Sequence, residues 1–399
     1  VLTAMWLRDS VIHDDLPDLD RLDRDPRYFP YRYGHAFWAY VGGRWGGARV
    51  PRVFTAAMER GLERGIEKAL GIPAKALFED WHAAIRKSYQ PVIDARLPAA
   101  AQAESIVGKE KGAGELNLAP AVSPDGSRVV FLSTRDLFTV DLFLADAYTG
   151  EVTGKLLGAS GEPHFDALRF IDSAASWSPD GRKIAFVVFA GGGNSIVIID
   201  ADSRRVERRL AVPGVGAISN PSWSPDGSRI AFSGSFDGVT DLCLIDVASG
   251  RLTRLTHDLY ANLQPAWSPD GRTLAFVSDQ GEGTDLDHLS YGPTRIRLFD
   301  IASGESRALP LFDDARHINP QFSPDGSSLY FISAPDGISN VFRCSLTSGE
   351  IFRVTNVQTG VTGITALSPA LSVSRSSGRV VFSVFEKKRY SLYALPPER

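Results

Sequence analysis

The sequence predicts a mainly β protein, a six-bladed β-propeller of four-stranded antiparallel blades with a small N-terminal α-helical domain. Three observations support this fold class. The phrase Ser-Pro-Asp-Gly occurs five times at intervals of 44 to 55 residues, strand-like apolar runs surround each copy, and residues 1–97 lack that pattern. A period in the forties is typical of propellers, in which each repeat supplies one blade.

The repeated phrase predicts a β-hairpin. Proline presets φ at the first corner of a turn, aspartate suits the second corner, and glycine accepts the left-handed position that follows. An apolar run such as Ile230-Ala231-Phe232 comes directly after it, so the phrase joins two antiparallel strands. The copies begin at Ser123, Ser178, Ser224, Ser268 and Ser323, and we expect a worn sixth copy at Ser368-Pro369-Ala370.

Two more strands complete each repeat. In the third repeat, Asp241–Ile245 is followed by a turn from Asp246 to Gly250 and by the strand Arg251–Leu255. The last repeat ends without a fourth strand. We therefore expect residues 104–109 to pair with residues 390–395, which closes the ring and removes two open sheet edges. The predicted domains are 1–97, helical, and 98–399, the propeller.

The repeats resemble those of a known family. Trp223-Ser224-Pro225-Asp226-Gly227, the run Ile230-Ala231-Phe232 and the turn Leu244-Ile245-Asp246-Val247-Ala248-Ser249-Gly250 are similar to the WD40-like (PD40) repeats of TolB-type propellers. The resemblance covers roughly residues 100–399. It implies a non-enzymatic module of the bacterial periplasm or cell surface that binds other proteins.

The N-terminal domain is predicted to be a small helical bundle. Apolar residues recur at helical spacing over Thr3–Val11, Tyr33–Val41 and Pro51–Leu70, and a last helix runs from Pro73 to the residue before Pro91. We expect His13–Pro30 to be an irregular connection.

This domain also resembles part of a known family. Tyr31-Arg32-Tyr33-Gly34, Arg44-Trp45-Gly46, Ala69-Leu70-Gly71 and Trp81 are similar to the C-terminal helices of gluzincin (peptidase MA-like) metallopeptidases. The family binds zinc upstream, through His-Glu-x-x-His and a third carboxylate, and a Tyr at the place of Tyr31 stabilises the oxyanion. No His-Glu-x-x-His occurs in the 399 residues. The resemblance implies a remnant that has lost its metal half.

Several function classes lack support in the sequence. The net charge of −4 gives no reason to expect nucleic acid as a partner, and no apolar run approaches the length of a transmembrane helix. Phosphate-binding loops, dinucleotide fingerprints and the Gly-x-Ser-x-Gly elbow do not occur. We therefore predict no catalytic residue, no metal ligand and no cofactor. Cys243 and Cys344 fall on non-neighbouring blades, which argues against a disulfide.

Partner-binding residues are expected on one face of the propeller. Loops on a rigid scaffold usually carry binding function, and the longest one, Ser278–Thr294, is rich in acidic residues. Connections between blades reach the same face. The candidates are His164, His257, Asp258, Asp279, Glu282, Asp285, Asp287, His288, Asp313, Asp314, Arg316 and His317. A metal ion or small ligand at this face is the alternative, since imidazole and carboxylate groups bind metals.

The leading hypothesis is a non-enzymatic protein-binding or scaffold module, periplasmic or extracellular, that joins a membrane-associated assembly through its partners. The alternative is the C-terminal accessory part of a zinc metallopeptidase whose catalytic half lies upstream of residue 1. A gating propeller for a separate hydrolase chain is a third hypothesis.

Overall fold

The computed structural model describes residues 2–136, 139–158, 167–168, 173–190 and 192–396. The chain divides into two compact units, Val1–Leu97 with Glu386–Lys388, and Pro98–Phe385 with Arg389–Arg399. The first unit is helical, and the second is a six-bladed β-propeller of antiparallel sheets. No helix within the described ranges is both long and apolar enough to span a lipid bilayer.

Six α-helices form the helical unit: α1 (Leu2–Ile12), α2 (Leu19–Arg24), α3 (Pro30–Trp45), α4 (Arg49–Arg60), α5 (Leu62–Leu70) and α6 (Ala74–Asp94). Aromatic side chains fill its core, because large rings bury much apolar area. Phe37 of α3 stacks on Phe78 of α6 with ring centroids 4.8 Å apart, and Trp81 meets Phe37 edge-on at 5.4 Å. The apolar periodicity of α3 and α6 therefore marks their packed faces.

Three boundaries in this unit differ from the sequence-based prediction. The expected single helix Pro51–Leu70 is broken at Gly61, which has φ 81° and separates α4 from α5. The expected connection His13–Pro30 contains α2, whose N-terminus is capped by the Asp18 carboxylate. The last helix continues through Pro91 to Asp94, because the Ala95 N–H bonds to the Pro91 carbonyl and extends the final turn.

The propeller strands run in chain order around the ring. Blade one has β2 (Asn117–Val122), β3 (Arg128–Ser133), β4 (Asp141–Asp146) and β5 (Val152–Leu157). Blade two has β6 (Ala167–Leu168), β7 (Ser176–Trp177), β8 (Lys183–Ala190), β9 (Gly193–Asp200) and β10 (Val206–Ala211), with β6 and β7 both paired to β8. Blade three has β11 (Ile218–Trp223), β12 (Arg229–Phe236), β13 (Val239–Asp246) and β14 (Leu252–Arg254).

Blade four has β15 (Asn262–Trp267), β16 (Thr273–Ser278), β17 (Arg295–Asp300) and β18 (Ser306–Ala308). Blade five has β19 (His317–Phe322), β20 (Ser328–Ser333), β21 (Asn340–Ser345) and β22 (Ile351–Arg353). Blade six has β23 (Leu371–Val373), β24 (Val380–Glu386) and β25 (Arg389–Ala394). Its fourth strand is β1 (Glu104–Val107), which runs antiparallel to β25 with Glu104 opposite Ala394. The ladder ends at Val107 because Lys109–Lys111 form a 3-10 turn.

Hydrogen bonds inside the turn explain the composition of the repeated Ser-Pro-Asp-Gly phrase. In blade three the Ser224 hydroxyl donates to the Asp226 carboxylate at 2.6 Å and accepts from the Arg229 N–H at 3.0 Å. The Asp226 carboxylate also accepts from the Ser228 N–H at 3.0 Å. Gly227 has φ 75°, a value that favours glycine. Each residue of the phrase therefore has a separate role in closing the turn.

The sixth hairpin lies elsewhere than expected. Ser368-Pro369-Ala370 precedes β23, whereas the turn between β23 and β24 is Ser374–Gly378. The Ser374 N–H bonds to the Arg379 carbonyl at 2.9 Å, as the Ser224 N–H bonds to the Arg229 carbonyl at 2.8 Å. The expected sixth copy was wrong because the turn between β23 and β24 keeps only the serine and the glycine of the motif, and its glycine lies one position later, at Gly378.

Candidate functional site

The loops of the propeller fall into two sets, because successive strands of a blade run in opposite directions. The Ser-Pro-Asp-Gly hairpins and the Asp-to-Gly turns lie at one end of the blades. The loops between second and third strands and the connections between blades lie at the other end, which we name the loop face. Every candidate residue that the structure describes lies at the loop face.

The loop between β16 and β17 folds into a small hairpin of its own. Asp285 and Ser290 exchange two backbone hydrogen bonds of 2.8 Å. His288 Nδ1 lies 2.8 Å from the Asp285 carboxylate, and this hydrogen bond lowers the pKa of Asp285. Glu282 and Asp287 are exposed. The loop therefore presents its carboxylates on an ordered frame.

Two of the predicted acidic residues, Asp279 and Asp258, accept hydrogen bonds from groups of the loops themselves. The Asp279 carboxylate is buried and accepts the Ala261 N–H at 2.8 Å, which ties the connection between blades three and four to the long loop. Asp258 accepts the Tyr260 N–H at 3.0 Å and the Asn262 side-chain amide at 2.9 Å. Both carboxylates therefore hold loop backbone in place.

His317 is withdrawn from the surface. Its ring is buried, with Nδ1 3.0 Å from the Ser333 hydroxyl and Nε2 2.9 Å from the Phe312 carbonyl. Burial lowers the pKa of His317 to about 4, so the ring is neutral at pH 7. With both ring nitrogens hydrogen-bonded inside the blade, His317 supports β19 and is unavailable to a partner.

The remaining candidates are divided between exposed and partly covered positions. His257, Asp313 and Asp314 are exposed, and Arg316 is half-buried, with its pKa lowered by that burial. His164 lies outside the described residues. Within the ranges that the structure describes, no group of three or more His, Cys, Asp or Glu residues is placed to hold a metal ion.

The loop face also exposes large apolar side chains, none of which is among the predicted candidates. Leu289 and Tyr291 of the long loop are 72% and 63% exposed, and Leu259 of the adjoining connection is 71% exposed. The hydrogen bond from Ala261 to Asp279 joins the two segments that carry them. Apolar residues inside polar loops were the sequence signal, and exposed apolar clusters mark interaction sites.

The central channel is lined by the innermost strands, and most of these strands bulge in the same way. Ala119, Asn220, Gln264 and Asn319 have φ between 50° and 57°, and each precedes a proline. The ladder shifts register at each of these sites. Such bulges re-aim side chains, and here they turn amides toward the channel. Asn220, Gln264 and Asn319 all line one cavity there.

The propeller is similar to known proteins in sequence and in fold. Residues 171–289 match the family model described as the TolB beta propeller domain (PD40). The crystal structure of TolB from Acinetobacter baumannii is similar at a TM-score of 0.50 and 19% identity, covering 82% of this chain and 71% of that chain. The propeller is thus TolB-like in its fold.

Two further structures have TM-scores just below that value. A TolB-type protein from Agrobacterium tumefaciens has a TM-score of 0.48 at 18% identity, with 70% of this chain and 90% of that chain covered. An oligogalacturonate lyase in complex with manganese has a TM-score of 0.49 at 14% identity, with 75% and 96% covered. These likenesses concern the fold alone.

Proposed function

We propose that this protein is a non-enzymatic protein-binding module of the bacterial periplasm or cell surface, and that its partner docks on the loop face. The observation that carries the proposal is the exposure of Leu259, Leu289 and Tyr291 on two joined segments. Burying a large apolar side chain contributes about 1.5–3 kcal/mol, so three of them can anchor a partner.

The chemistry of the partner follows from the charges beside these side chains. Glu282, Asp285 and Asp287 are exposed on the same loop as Leu289 and Tyr291. A complementary surface carries apolar side chains flanked by lysine or arginine, because complementary potentials speed association and select the partner. A membrane-bound complex that presents such a surface outside the inner membrane would bring the protein to the membrane.

The test compares two variants that each lose exposed apolar area from the propeller. In one, Leu259, Leu289 and Tyr291 are replaced by serine. In the control, Tyr148→Ser removes an exposed ring from the Asp-to-Gly turn of blade one, at the opposite end of the blades. A photo-crosslinking amino acid at position 291 or 148 then reports contacts in the source cell.

The expected result is one stoichiometric protein partner that crosslinks from position 291 and not from position 148. The triple variant should weaken its binding at least about ten-fold, because truncating a buried anchor typically costs more than 1 kcal/mol. Equal binding by the triple variant and by Tyr148→Ser would place the partner elsewhere and overturn the docking site.

The metallopeptidase alternative concerns the helical unit. Tyr31 lies in the first turn of α3 and is 78% exposed, so its hydroxyl is open to a group brought from outside the unit. This is the arrangement that the resemblance to gluzincin C-terminal helices implies. The test is to read the gene upstream of Val1 for His-Glu-x-x-His and to measure zinc in the protein purified from its source. If neither the upstream motif nor zinc is found, the metallopeptidase alternative is refuted and the helical unit is a remnant.

A further inference from the structure

An arginine takes the place of proline in the sixth hairpin. Ser374 occupies the position of the hairpin serine, and Arg375 follows it where Pro225 follows Ser224 in blade three. A methyl group at Gly378 would lie 3.5 Å from Pro324 of the preceding hairpin, the same neighbour relation as Gly271 has with Pro225. Arg375 therefore occupies, in blade six, the position at which the five other blades have a neutral proline.

The Arg375 side chain lies inside the channel, between two cavities. The first, of about 90 Å³, lies among the bulged inner strands. The second, of about 190 Å³, lies at the hairpin end, where the prolines Pro124, Pro179, Pro225 and Pro269 come together. Arg375 lines both cavities, together with Ser222 and Gln321.

The Arg375 guanidinium has fewer hydrogen-bond acceptors and opposite charges around it than a buried charge requires. Nη2 donates to the Trp223 carbonyl at 2.6 Å, whereas Nη1 is shielded from solvent and has no acceptor among the described residues. No Asp or Glu lines either cavity within the described part of the chain. Burial lowers the pKa of Arg375 to about 10, so the group is still charged at neutral pH. An unpaired buried charge is unfavourable, and an anion would relieve it.

Two neutral donors accompany the charge. The Ser222 hydroxyl and the Gln321 amide line both cavities, and neither side chain hydrogen-bonds to another described residue. A guanidinium, an amide N–H and a hydroxyl form a donor set for a planar anion, since arginine pairs with carboxylates through two parallel hydrogen bonds. We propose that the channel binds a carboxylate at Arg375, with Gln321 and Ser222 as further donors.

The rest of the ligand follows from the walls of the larger cavity. Besides the four prolines, Trp267, Phe322 and Val373 line it. Ser268, Ser323 and Ser376 are the other polar residues of its wall, so the group attached to the carboxylate is largely apolar. A cavity of about 150 Å³ holds a benzene molecule, so roughly four to six carbon atoms fit here. Both a free short-chain fatty acid and the C-terminal residue of a peptide have this chemistry.

The experiment measures binding of isovalerate, and of acetyl-glycyl-valine with either a free or an amidated C-terminus, by ligand-observed NMR and calorimetry. The whole chain is used throughout. The variants are Arg375→Gln and Gln321→Leu, with Arg307→Gln, an exposed arginine on β18, as the matched control. Tyr291→Ser separates this site from the loop face, since it should leave carboxylate binding unchanged.

Saturable binding of at least one carboxylate is expected in the millimolar range for a ligand this small. Arg375→Gln should weaken it at least about ten-fold, and Arg307→Gln should not. Binding of isovalerate alone identifies a free acid, and binding of the free but not the amidated peptide identifies a chain terminus.

Other outcomes overturn the proposal. These are no saturable binding up to about 20 mM, equal binding of the free and amidated peptides without isovalerate binding, or unchanged affinity in Arg375→Gln. Thermal unfolding checks that each variant is folded. If Arg375→Gln does not fold, Gln321→Leu decides: weaker binding supports the site, and unchanged binding refutes it.

Discussion

The backbone N–H of Asn319 donates a hydrogen bond of 2.7 Å to Oε1 of Gln264, which joins blade five to blade four. The Asn319 side chain continues the connection, because its Oδ1 accepts the N–H groups of Ala370 and Leu371 at 2.7 and 2.8 Å. Two amides therefore link three blades at the channel wall, where the strands themselves do not pair.

Replacing Asn319 by alanine should destabilise the propeller strongly. The change leaves two buried backbone N–H groups without an acceptor, and each such group costs about 1–3 kcal/mol. We expect the free energy of unfolding to fall by about 2–4 kcal/mol in urea titrations. Gln280→Ala is the control, since Gln280 is half-buried and its side-chain amide makes no hydrogen bond to another described residue. Equal losses in the two variants would show that the blade-linking bonds contribute little.

His317 should make the stability of the propeller fall between pH 7 and pH 4.5. Its folded pKa of about 4 lies below the ordinary value of 6.5 because the ring is buried. Between these two pKa values the unfolded chain binds a proton at His317 that the folded chain does not bind. The stabilising contribution of the neutral ring is therefore fully present above pH 6.5 and declines as pH falls toward the folded pKa. The loss should be on the order of 2 kcal/mol by pH 4.5.

The measurement is the slope of unfolding free energy against pH in the native protein and in His317→Gln. The variant keeps hydrogen-bonding groups and does not titrate, so its slope should be smaller across that window. Parallel slopes would assign the pH dependence to other groups.

The hairpin aspartates should act at lower pH. The Ser323 hydroxyl, followed by Ser327, lowers the pKa of Asp325 to about 2. The unfolded carboxyl has a pKa near 3.9, so the stabilising contribution is present above that value and is lost as pH falls through the folded pKa. The stability difference between the native protein and Asp325→Asn should therefore shrink between pH 5 and pH 2. A stability difference that stays constant across this pH range for Asp325→Asn would refute the assignment.

Gly65 and Gly34 should respond oppositely to alanine. A Cβ at Gly65 would lie 2.6 Å from the Ala57 backbone nitrogen, whereas one at Gly34 would meet nothing within 4 Å. Gly65→Ala should destabilise the helical unit by about 1–3 kcal/mol through forced separation of α4 and α5. Gly34→Ala should stabilise it by up to about 1 kcal/mol, because alanine is the better helix former. Thermal unfolding followed by circular dichroism at a helical wavelength distinguishes them, and a stabilising Gly65→Ala would contradict the close packing.

The sequence predicted the blades that keep the Ser-Pro-Asp-Gly phrase, because each residue of the phrase has a local task in the turn. It could not locate the sixth hairpin, where Ser374 and Gly378 persist while the spacing and the intervening residues change. Gly61 and Gly65 show the same limit: a close approach between two helices depends on packing that the period of apolar residues does not encode.

The candidate sites, too, were predictable from the sequence only in part. The loop face was predictable from strand order, yet the direction of each side chain was not: Asp279 and His317 turn inward, while Leu289 and Tyr291 remain exposed. The channel site was invisible in the sequence because Ser222, Gln321 and Arg375 belong to three blades. They meet only after the ring has formed.

The outer strand of blade six has a consequence for the order of events during synthesis. Glu104 emerges from the ribosome 290 residues before its partner Ala394. Until then β1 has no ladder, and blade six cannot be completed. Contacts of such high sequence separation form late and slow folding, so β1 of the nascent chain stays unpaired while blades one to five are translated. A ribosome stalled shortly before β25 would therefore carry an open ring, with both of its edges exposed to chaperones or to neighbouring chains.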